Sequence, residues 1–250
     1  MKKENFDQSV DKRSRVTHTW GPVGHASAMP GATQADKATQ LIFNDILGNR
    51  LQPGERLKPE ALSERYSIGL SPVREALIRL SVEGLVQGAG YRGFEVPEIS
   101  VDELMDIANV RAELSCLALR DSIRRGDERW EAGVIAAYHM IDRIPESLRV
   151  NPQEYAEAWE ERNWAFHFAL EGACDSPWLN HFISLLAMHS KRYRARFFDY
   201  RDDALLAQAE HKALMDAALR RDADTACRLM TEHVLGRVRA FKKLMESGSD

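Results

Sequence analysis

The sequence predicts a mainly α protein in which an N-terminal winged helix-turn-helix precedes an all-α helical bundle. Two observations predict this class. Apolar residues recur at helical spacing from residue 38 almost to the end of the 250-residue chain. Strand patterns separated by glycines are confined to residues 85–97, directly after three predicted helices. Helix, helix, turn, helix and hairpin is the order of elements in a winged helix-turn-helix.

The composition is that of a globular protein. Hydrophobic residues make up 44% of the chain, which is enough for a core. No run of about 18 apolar residues occurs, and the start lacks the apolar stretch of a signal peptide. We therefore expect a cytoplasmic protein without membrane partners. Three widely spaced cysteines argue against a disulfide framework and against a cysteine metal site.

The pattern divides the chain into three parts. Residues 1–35 are polar and lack periodicity, so we expect a disordered N-terminal arm. Residues 36–98 form the predicted winged helix-turn-helix, and residues 99–246 form the helical domain. The net charge is -4, and no part is strongly basic. DNA binding would therefore depend on individually placed arginines and on a dimer.

In the front module, the first helix is predicted from Ala38 to a Pro-Gly turn after residue 51, and the second from Pro59 through Tyr66. The third is predicted to begin at Ser71 as N-cap, with Pro72 as its first residue. Its buried face would comprise Val73, Ala76, Leu77 and Leu80. Two short strands, at 85–87 and 94–97, would then follow.

The start of the third helix could contact DNA. With Ser71 as N-cap, Arg74 is the third helical residue and would project toward base edges and phosphates. The Ser71 hydroxyl and the amides of the first turn can hold a phosphate, because a helix N-terminus favours anions. Alternatively, Arg74 pairs with a nearby acid such as Glu75 or Glu60.

Two further arginines are candidates for DNA contact. Arg79 lies further along the third helix, and Arg92 stands at the hairpin tip between Gly90 and Gly93. With glycines on both sides, Arg92 could reach a groove without a bulky neighbour in the way. The alternative is an ordinary surface turn.

After Ser100 the chain shows no convincing strand pattern. Helical patterns follow one another at 101–125, 127–143, 152–172, 177–198, 203–220 and 223–246. Short polar or proline-containing segments separate them. The sequence therefore predicts an all-helical bundle.

Four side chains of this bundle could form a metal site. Asn163 and His167 are four residues apart and share one helix face. His211 and His233 lie at equal distances from a turn near Asp222, so an antiparallel helix hairpin puts both about 16 Å from that turn. Three imidazoles and one amide oxygen suit Zn, Ni or another borderline divalent ion. Alternatively, His167 is an ordinary core histidine, and the other two are partly exposed helix residues.

The front module resembles the DNA-binding domain of GntR family transcription regulators. The resemblance rests on LQPGERLKPEALSERYSIGLSPVREALIRLSVEGLV followed by GYRGFEV. It implies that operator DNA is approached by Ser71, Pro72, Arg74, Arg92 and Gly93. Many members carry an arginine just before the Thr/Ser-Pro pair. Leu70 stands there in this chain, so operator sequences of relatives do not transfer directly.

Residues 100–246 resemble the FCD ligand-binding domain of the FadR-type subgroup, which implies an effector-binding and dimerisation domain. The matching segments are FH at 166–167, EHKALMDAALRRDADTA from 210 and MTEHV from 230. Metal-binding members use an Asp-x-x-x-His pair and two later histidines. Asn163 replaces that aspartate with a weaker, neutral ligand.

In such domains the metal helps to hold a small organic acid. A cation offers open sites to carboxylate oxygens, and an arginine can complete the grip. Arg111 matches an arginine common in these domains, and Arg192 and Arg194 are further candidates. Relatives often carry glutamate four residues after the first arginine, where this chain has Ser115.

The expected function is a dimeric transcription regulator, a repressor, that reads a palindromic operator and responds to a small carboxylate. One alternative is a constitutive DNA-binding dimer with structural histidines. Another is a metal-dependent hydrolase, which needs a general base. Glu210 and Glu232 each precede a histidine and would point about 100° away from it around the helix. We therefore expect no enzyme activity.

Overall fold

The computed structural model describes residues 32–88, 93–143, 151–197 and 200–247. It confirms the predicted fold class, a winged helix-turn-helix followed by a helical domain. The elements in chain order are α1 (Gln34–Leu47), β1 (Arg56–Leu57), α2 (Pro59–Tyr66), α3 (Leu70–Val82), β2 (Gln87–Gly88), β3 (Phe94–Glu95), α4 (Val101–Arg125), α5 (Glu128–Asp142), α6 (Pro152–Glu171), α7 (Pro177–Phe197), α8 (Tyr200–Leu219) and α9 (Ala223–Ser247).

The first helix starts earlier than predicted because Thr33 caps it. The Thr33 hydroxyl accepts a hydrogen bond from the Asp36 amide at 3.1 Å, and the Thr33 amide donates to the Asp36 carboxylate at 2.8 Å. This reciprocal capping box satisfies two amides of the first turn. Helix α1 therefore begins at Gln34, inside the segment predicted to be a disordered arm. Residues 1–31 of that arm lie outside the described residues.

The third helix also starts earlier than predicted. Its N-cap is Gly69, whose carbonyl accepts the first helical hydrogen bond from the Val73 amide at 3.3 Å. Ser71 and Pro72 are thus the second and third helical residues, and Arg74 is the fifth. Pro72 fits this position because the amides of a first helical turn have no helical acceptor.

A three-stranded antiparallel sheet completes the front module, in the order β1-β3-β2. Strand β3 pairs Phe94 with Leu57 on one side and with Gly88 on the other. Strand β1 was not predicted, because two residues are too few to show a period of two. The strand predicted at 85–87 begins at Gln87 instead, after two residues buried in the core.

The two modules have separate cores. The front core contains the predicted apolar faces of the three helices, and the largest fully buried side chains in it are Ile42, Leu51, Leu57, Leu77, Leu80 and Leu85. The rear core surrounds α4, which packs against α6, α7 and α9. No helix in the described part of the chain is long and apolar enough to span a membrane.

Helix α7 joins the two modules. The Met188 side chain lies in the front core although its helix belongs to the rear bundle. The Nε2 atom of His189 lies 2.9 Å from the carbonyl oxygen of Glu83, just beyond α3. Arg192 donates through Nη2 to the carbonyl of Pro97 at 2.7 Å, in the segment that leads into α4. The front module and the rear bundle therefore meet along α7.

Candidate functional site

Three histidines meet in the interior of the rear bundle. His167 comes from α6, His211 from α8 and His233 from α9, and one ligand atom from each lies within 4.8 Å of the others. The Nε2 atoms of His167 and His233 lie 3.1 Å apart. Two nitrogens bound to one ion at about 2.1 Å lie roughly 3 to 3.4 Å apart, so this spacing suits a shared metal ion.

The surroundings keep these imidazoles neutral. Burial lowers the pKa of His167, and the charges of His233 and His211 lower it further. Burial also lowers the pKa of His211. The pKa of His233 is lowered by burial despite a hydrogen bond to a carboxylate. Neutral imidazole is the form that binds a metal, so the cluster is ready to act as a ligand set at neutral pH.

Glu210 orients His233. Its Oε2 atom lies 2.6 Å from Nδ1 of His233, which leaves Nε2 of that ring facing His167. Burial raises the pKa of Glu210, but the hydrogen bond from His233 gives a net lowering. Helical spacing along α8 alone predicts that Glu210 points away from His211. In fact Glu210 reaches across to α9. A carboxylate on the outer nitrogen of a metal-binding histidine is a common arrangement.

Asn163 completes the set on the side of α6. Its side chain is buried, and its Oδ1 atom has no hydrogen-bond partner among the described residues. Nε2 of His211 is likewise buried without a partner. Unpaired buried polar atoms are costly, and both would be satisfied as ligands of a cation. The residues present therefore fit a bound divalent metal.

A cavity opens beside the histidines. It encloses about 510 Å³ of space not filled by protein atoms, including the part open to solvent. The apolar part of its wall comes from Leu104, Ala108, Trp159, Val234 and Val238. The polar and charged residues that line it are Arg111, Asn163, His167, Ser190, Arg194, His233 and Arg237.

Arginines give this cavity a positive character. Arg111 is buried, and its Nε atom has no hydrogen-bond partner among the described residues. Burial lowers the pKa of Arg111 to about 10, with help from the nearby charge of Arg194, so Arg111 stays cationic at neutral pH. Arg194 makes a bidentate pair with the buried Glu160, at 2.7 and 2.8 Å. Arg237 lies 3.7 Å from Glu210.

The expectation for Arg192 is not supported by its position. Its side chain does not line the cavity but binds the Pro97 carbonyl at the junction between the modules. Helical spacing explains the difference, because Ser190 and Arg194 are four residues apart and share the cavity face of α7. Arg237 was not among the predicted site residues, although it lies four residues after His233 and therefore on the same face of α9.

An acid near Arg111 comes from another helix. Ser115 is fully buried on α4, where relatives were expected to carry glutamate. Glu171, at the end of α6, is also buried and lies close enough for its charge and that of Arg111 to affect each other. Burial raises the pKa of Glu171 to about 7, although Arg111 opposes this shift.

The DNA-facing candidates are on the surface of α3. Arg74 is exposed, and its Nη2 atom lies 3.3 Å from Glu60 of α2. The alternative pairing with Glu60 is therefore present, but both side chains are more than half exposed, and such pairs contribute little. Arg79 is held on both sides, at 2.6 Å from Asp36 and from Glu75. It is therefore less available to DNA than Arg74.

The wing is described only in part. Arg92 lies outside the described residues. Gly93 has a φ of 149°, a backbone conformation that residues with side chains rarely adopt, and a Cβ added there would meet no atom of the described residues within 4 Å. Leu70 is partly exposed at the start of α3. The described surface thus presents Leu70, Ser71 and Arg74 together at one helix end.

The fold and the site define a DNA-binding regulator of the winged helix-turn-helix class whose second domain encloses a polar cavity. Residues 34–96 match the family of bacterial regulatory proteins called gntR, and residues 106–236 match the FCD domain. The chain belongs to the GntR family of transcription regulators and carries an FCD domain.

Relatives support this membership. The chain is 40% identical over 195 residues to the HTH-type transcriptional regulator BphR of Paraburkholderia xenovorans (strain LB400), which covers 78% of this chain and 80% of that protein. It is 32% identical over 210 residues to the HTH-type transcriptional repressor GlaR of Escherichia coli (strain K12), covering 82% and 94%. These relatives are regulators rather than enzymes, as expected.

Solved structures share the fold. Escherichia coli McbR/YncC superposes with a TM-score of 0.68 at 18% identity, covering 86% of this chain and 99% of that chain. A GntR regulator from Rhodococcus sp. RHA1 gives a TM-score of 0.68 at 17% identity, covering 84% and 97%. At these identities, the likeness establishes the fold alone.

Proposed function

We propose that this regulator is a repressor whose affinity for a double-stranded operator is controlled by a small carboxylate bound beside a divalent metal ion. The observation that carries this proposal is the cavity itself. Arg111, Arg194 and Arg237 line it next to three neutral histidines. Their three positive charges exceed the charges of Glu160 and Glu210 together with that of Glu171, whose pKa of about 7 leaves it only partly ionised at neutral pH. A buried anion would offset the difference.

His167, His211, His233 and Asn163 would hold the metal, with zinc or nickel as the proposed ion. A divalent ion held by three imidazoles and a weak amide ligand supplies open coordination positions for carboxylate oxygens. Arg111 would bind the same carboxylate through its guanidinium group. Arg194 is paired with Glu160, so we propose that it adds positive charge to the cavity wall rather than binding the carboxylate by itself.

Helix α7 would carry the effect of the acid to DNA. Ser190 and Arg194 line the cavity, while Met188, His189 and Arg192 contact the front module from the same helix. A change of α7 position on acid binding would therefore move the junction next to α3. The acid changes operator affinity only if it binds with different affinity to the two positions of α7, before and after this change. Coupling of about 1 to 3 kcal/mol would suffice to change occupancy.

On DNA, Ser71, Pro72 and Arg74 of α3 would enter the major groove, with Arg92 and Gly93 of the wing at the adjacent backbone. Arg74 would exchange its weak exposed contact with Glu60 for a phosphate or base. Arg79 would contribute through the long-range attraction of its charge rather than through direct contact. The repressor role is proposed because GlaR, a similar protein, is named a repressor.

We further propose a homodimer formed through exposed apolar side chains of the rear module. Val110 and Leu117 lie one heptad apart on α4, and Trp178 and Phe182 lie four residues apart on α7, all substantially exposed. The two helices pack side by side, so these side chains can form one apolar surface. In sedimentation experiments, Phe182→Glu should give monomers. Met140→Glu, at another exposed apolar position, should leave the dimer intact.

The proposal is tested by footprinting on the DNA that flanks the gene, with and without small mono-, di- and tricarboxylates. A discrete protected site that one acid weakens is expected. The same acid should raise the melting temperature of the metal-loaded protein and should fail to do so for His211→Ala. Protection that no acid changes, in a protein that binds no metal, would favour the constitutive DNA-binding dimer instead.

A further inference from the structure

We propose that Cys116 and Cys227 form an oxidation site, at which a hydroperoxide converts the two thiols into an intramolecular disulfide that links α4 to α9. The two cysteines face each other reciprocally. Sγ of Cys116 lies 3.4 Å from the carbonyl oxygen of Cys227, and Sγ of Cys227 lies 3.5 Å from that of Cys116. Each thiol therefore lies beside the backbone of the other cysteine, which brings the two side chains close enough to form a disulfide bond.

The two thiols differ in access. Cys116 is partly exposed, whereas Cys227 is buried, with 5% of its surface exposed. A small oxidant therefore meets Cys116 first. The Thr231 hydroxyl lies 3.5 Å from Sγ of Cys116 and can donate to it once the proton has left. Arg120, one turn further along α4 and paired with Asp224, adds a positive charge nearby, which the charge of Glu113 opposes.

The chemistry of Cys116 agrees with this order. A hydrogen bond from Cys227 is the largest cause that lowers the pKa of Cys116 to about 6, and Thr231 adds to the effect. The pKa of Cys227 is raised by the same contact and by burial. Cys116 is thus the attacking thiolate and Cys227 the resolving thiol.

The reaction balances with the hydroperoxide as the only oxidant. The Cys116 thiolate attacks one peroxide oxygen, the O–O bond breaks, and the other oxygen leaves as hydroxide or alkoxide. Cys116 is now a sulfenic acid. The Cys227 sulfur attacks it, the S–S bond forms, and the hydroxyl leaves with the thiol proton as water. Both sulfurs are oxidised by one electron each, and the peroxide is reduced by two.

The third cysteine provides an internal control. Cys174 is buried between α6 and α7, in a separate apolar cluster with Ala118 and Ile183. Its contacts in the described part of the chain include no cysteine, and burial raises its pKa. A disulfide between the other two would close a loop of about 110 residues, a length at which the chain-entropy effect on stability is large.

The test is thiol counting on the purified full-length protein treated with a few equivalents of hydrogen peroxide. Titratable thiols of the denatured protein should fall from three to one, and dithiothreitol should restore them. Peptide mapping without reduction should recover residues 116 and 227 in one linked peptide. The urea unfolding midpoint should rise on oxidation and return on reduction.

Variants distinguish this site from general oxidation. Cys174→Ser should still form the linked peptide, with thiols falling from two to none. Cys227→Ser should leave Cys116 as a sulfenic or sulfinic acid without any link. The proposal is overturned if all three thiols survive peroxide levels that oxidise free glutathione, or if the links recovered join two chains or include Cys174.

Discussion

The Glu210→Gln substitution keeps the size of the side chain but removes the charge that orients His233. In the wild-type protein, Oε2 of Glu210 lies 2.6 Å from Nδ1 of His233, so Nε2 of that ring faces His167. An uncharged amide holds that tautomer less strongly. Loss of such an outer partner lowers metal affinity about 10- to 100-fold, which corresponds to about 1.4 to 2.7 kcal/mol.

The exposure of Glu210 indicates that the loss of metal affinity lies at the lower end of this roughly 10- to 100-fold range. Its side chain is 43% exposed, so solvent weakens the interaction, and we expect a loss near tenfold. The measurement is competition for zinc between the metal-free protein and a chromophoric chelator at neutral pH. Glu232→Gln is the matched control. Glu232 directly precedes His233, and its side chain is 61% exposed. Among the described residues its ion-pair partner is Arg228, at 3.4 Å.

Unchanged zinc affinity in Glu210→Gln would refute the assignment of Glu210 as the orienting residue. Equal losses in both variants would refute it as well, because a general charge effect would then explain the result. His211→Ala should lose far more affinity than either, since it removes a proposed ligand. A His211→Ala protein with wild-type affinity would exclude the three-histidine site altogether.

Three further predictions follow from the same contacts. Metal-free protein should lose stability as the pH falls below about 6.5, because the lowered histidine pKa values mean that unfolding takes up protons there. At pH 5.5 each of the three histidines lowers the free energy of unfolding by up to about 1.4 kcal/mol. Chemical denaturation at several pH values measures how the free energy of unfolding depends on pH. Arg74→Ala should weaken operator binding and reduce the salt slope by about 1, whereas Arg124→Ala in the rear module should not. Arg192→Ala should leave acid affinity unchanged but reduce the effect of the acid on DNA binding. Loss of acid binding would instead indicate that Arg192 contacts the acid directly.

Much of the fold could be predicted from the sequence because its signals are local. Helical periodicity located every helix of the described residues to within a few positions, and the Pro59 start of α2 was correct. The errors occurred where a cap decides the boundary. Thr33 starts its helix through a reciprocal pair of capping hydrogen bonds, and Gly69 starts its helix through its carbonyl. Periodicity records neither. Strand β1 exists only because β3 lies beside it.

The candidate site divides in the same way. Positions on one helix, such as Asn163 and His167, follow from spacing alone, and the symmetry of a helix hairpin suggested that His211 and His233 would meet. By itself, the sequence determined the module order, the helical periods and the residue types able to bind DNA or a metal. Tertiary structure decided that Glu210 orients His233, that Arg237 replaces Arg192 at the cavity and that α7 enters the front core. These outcomes depend on how neighbouring helices approach, which no local spacing specifies.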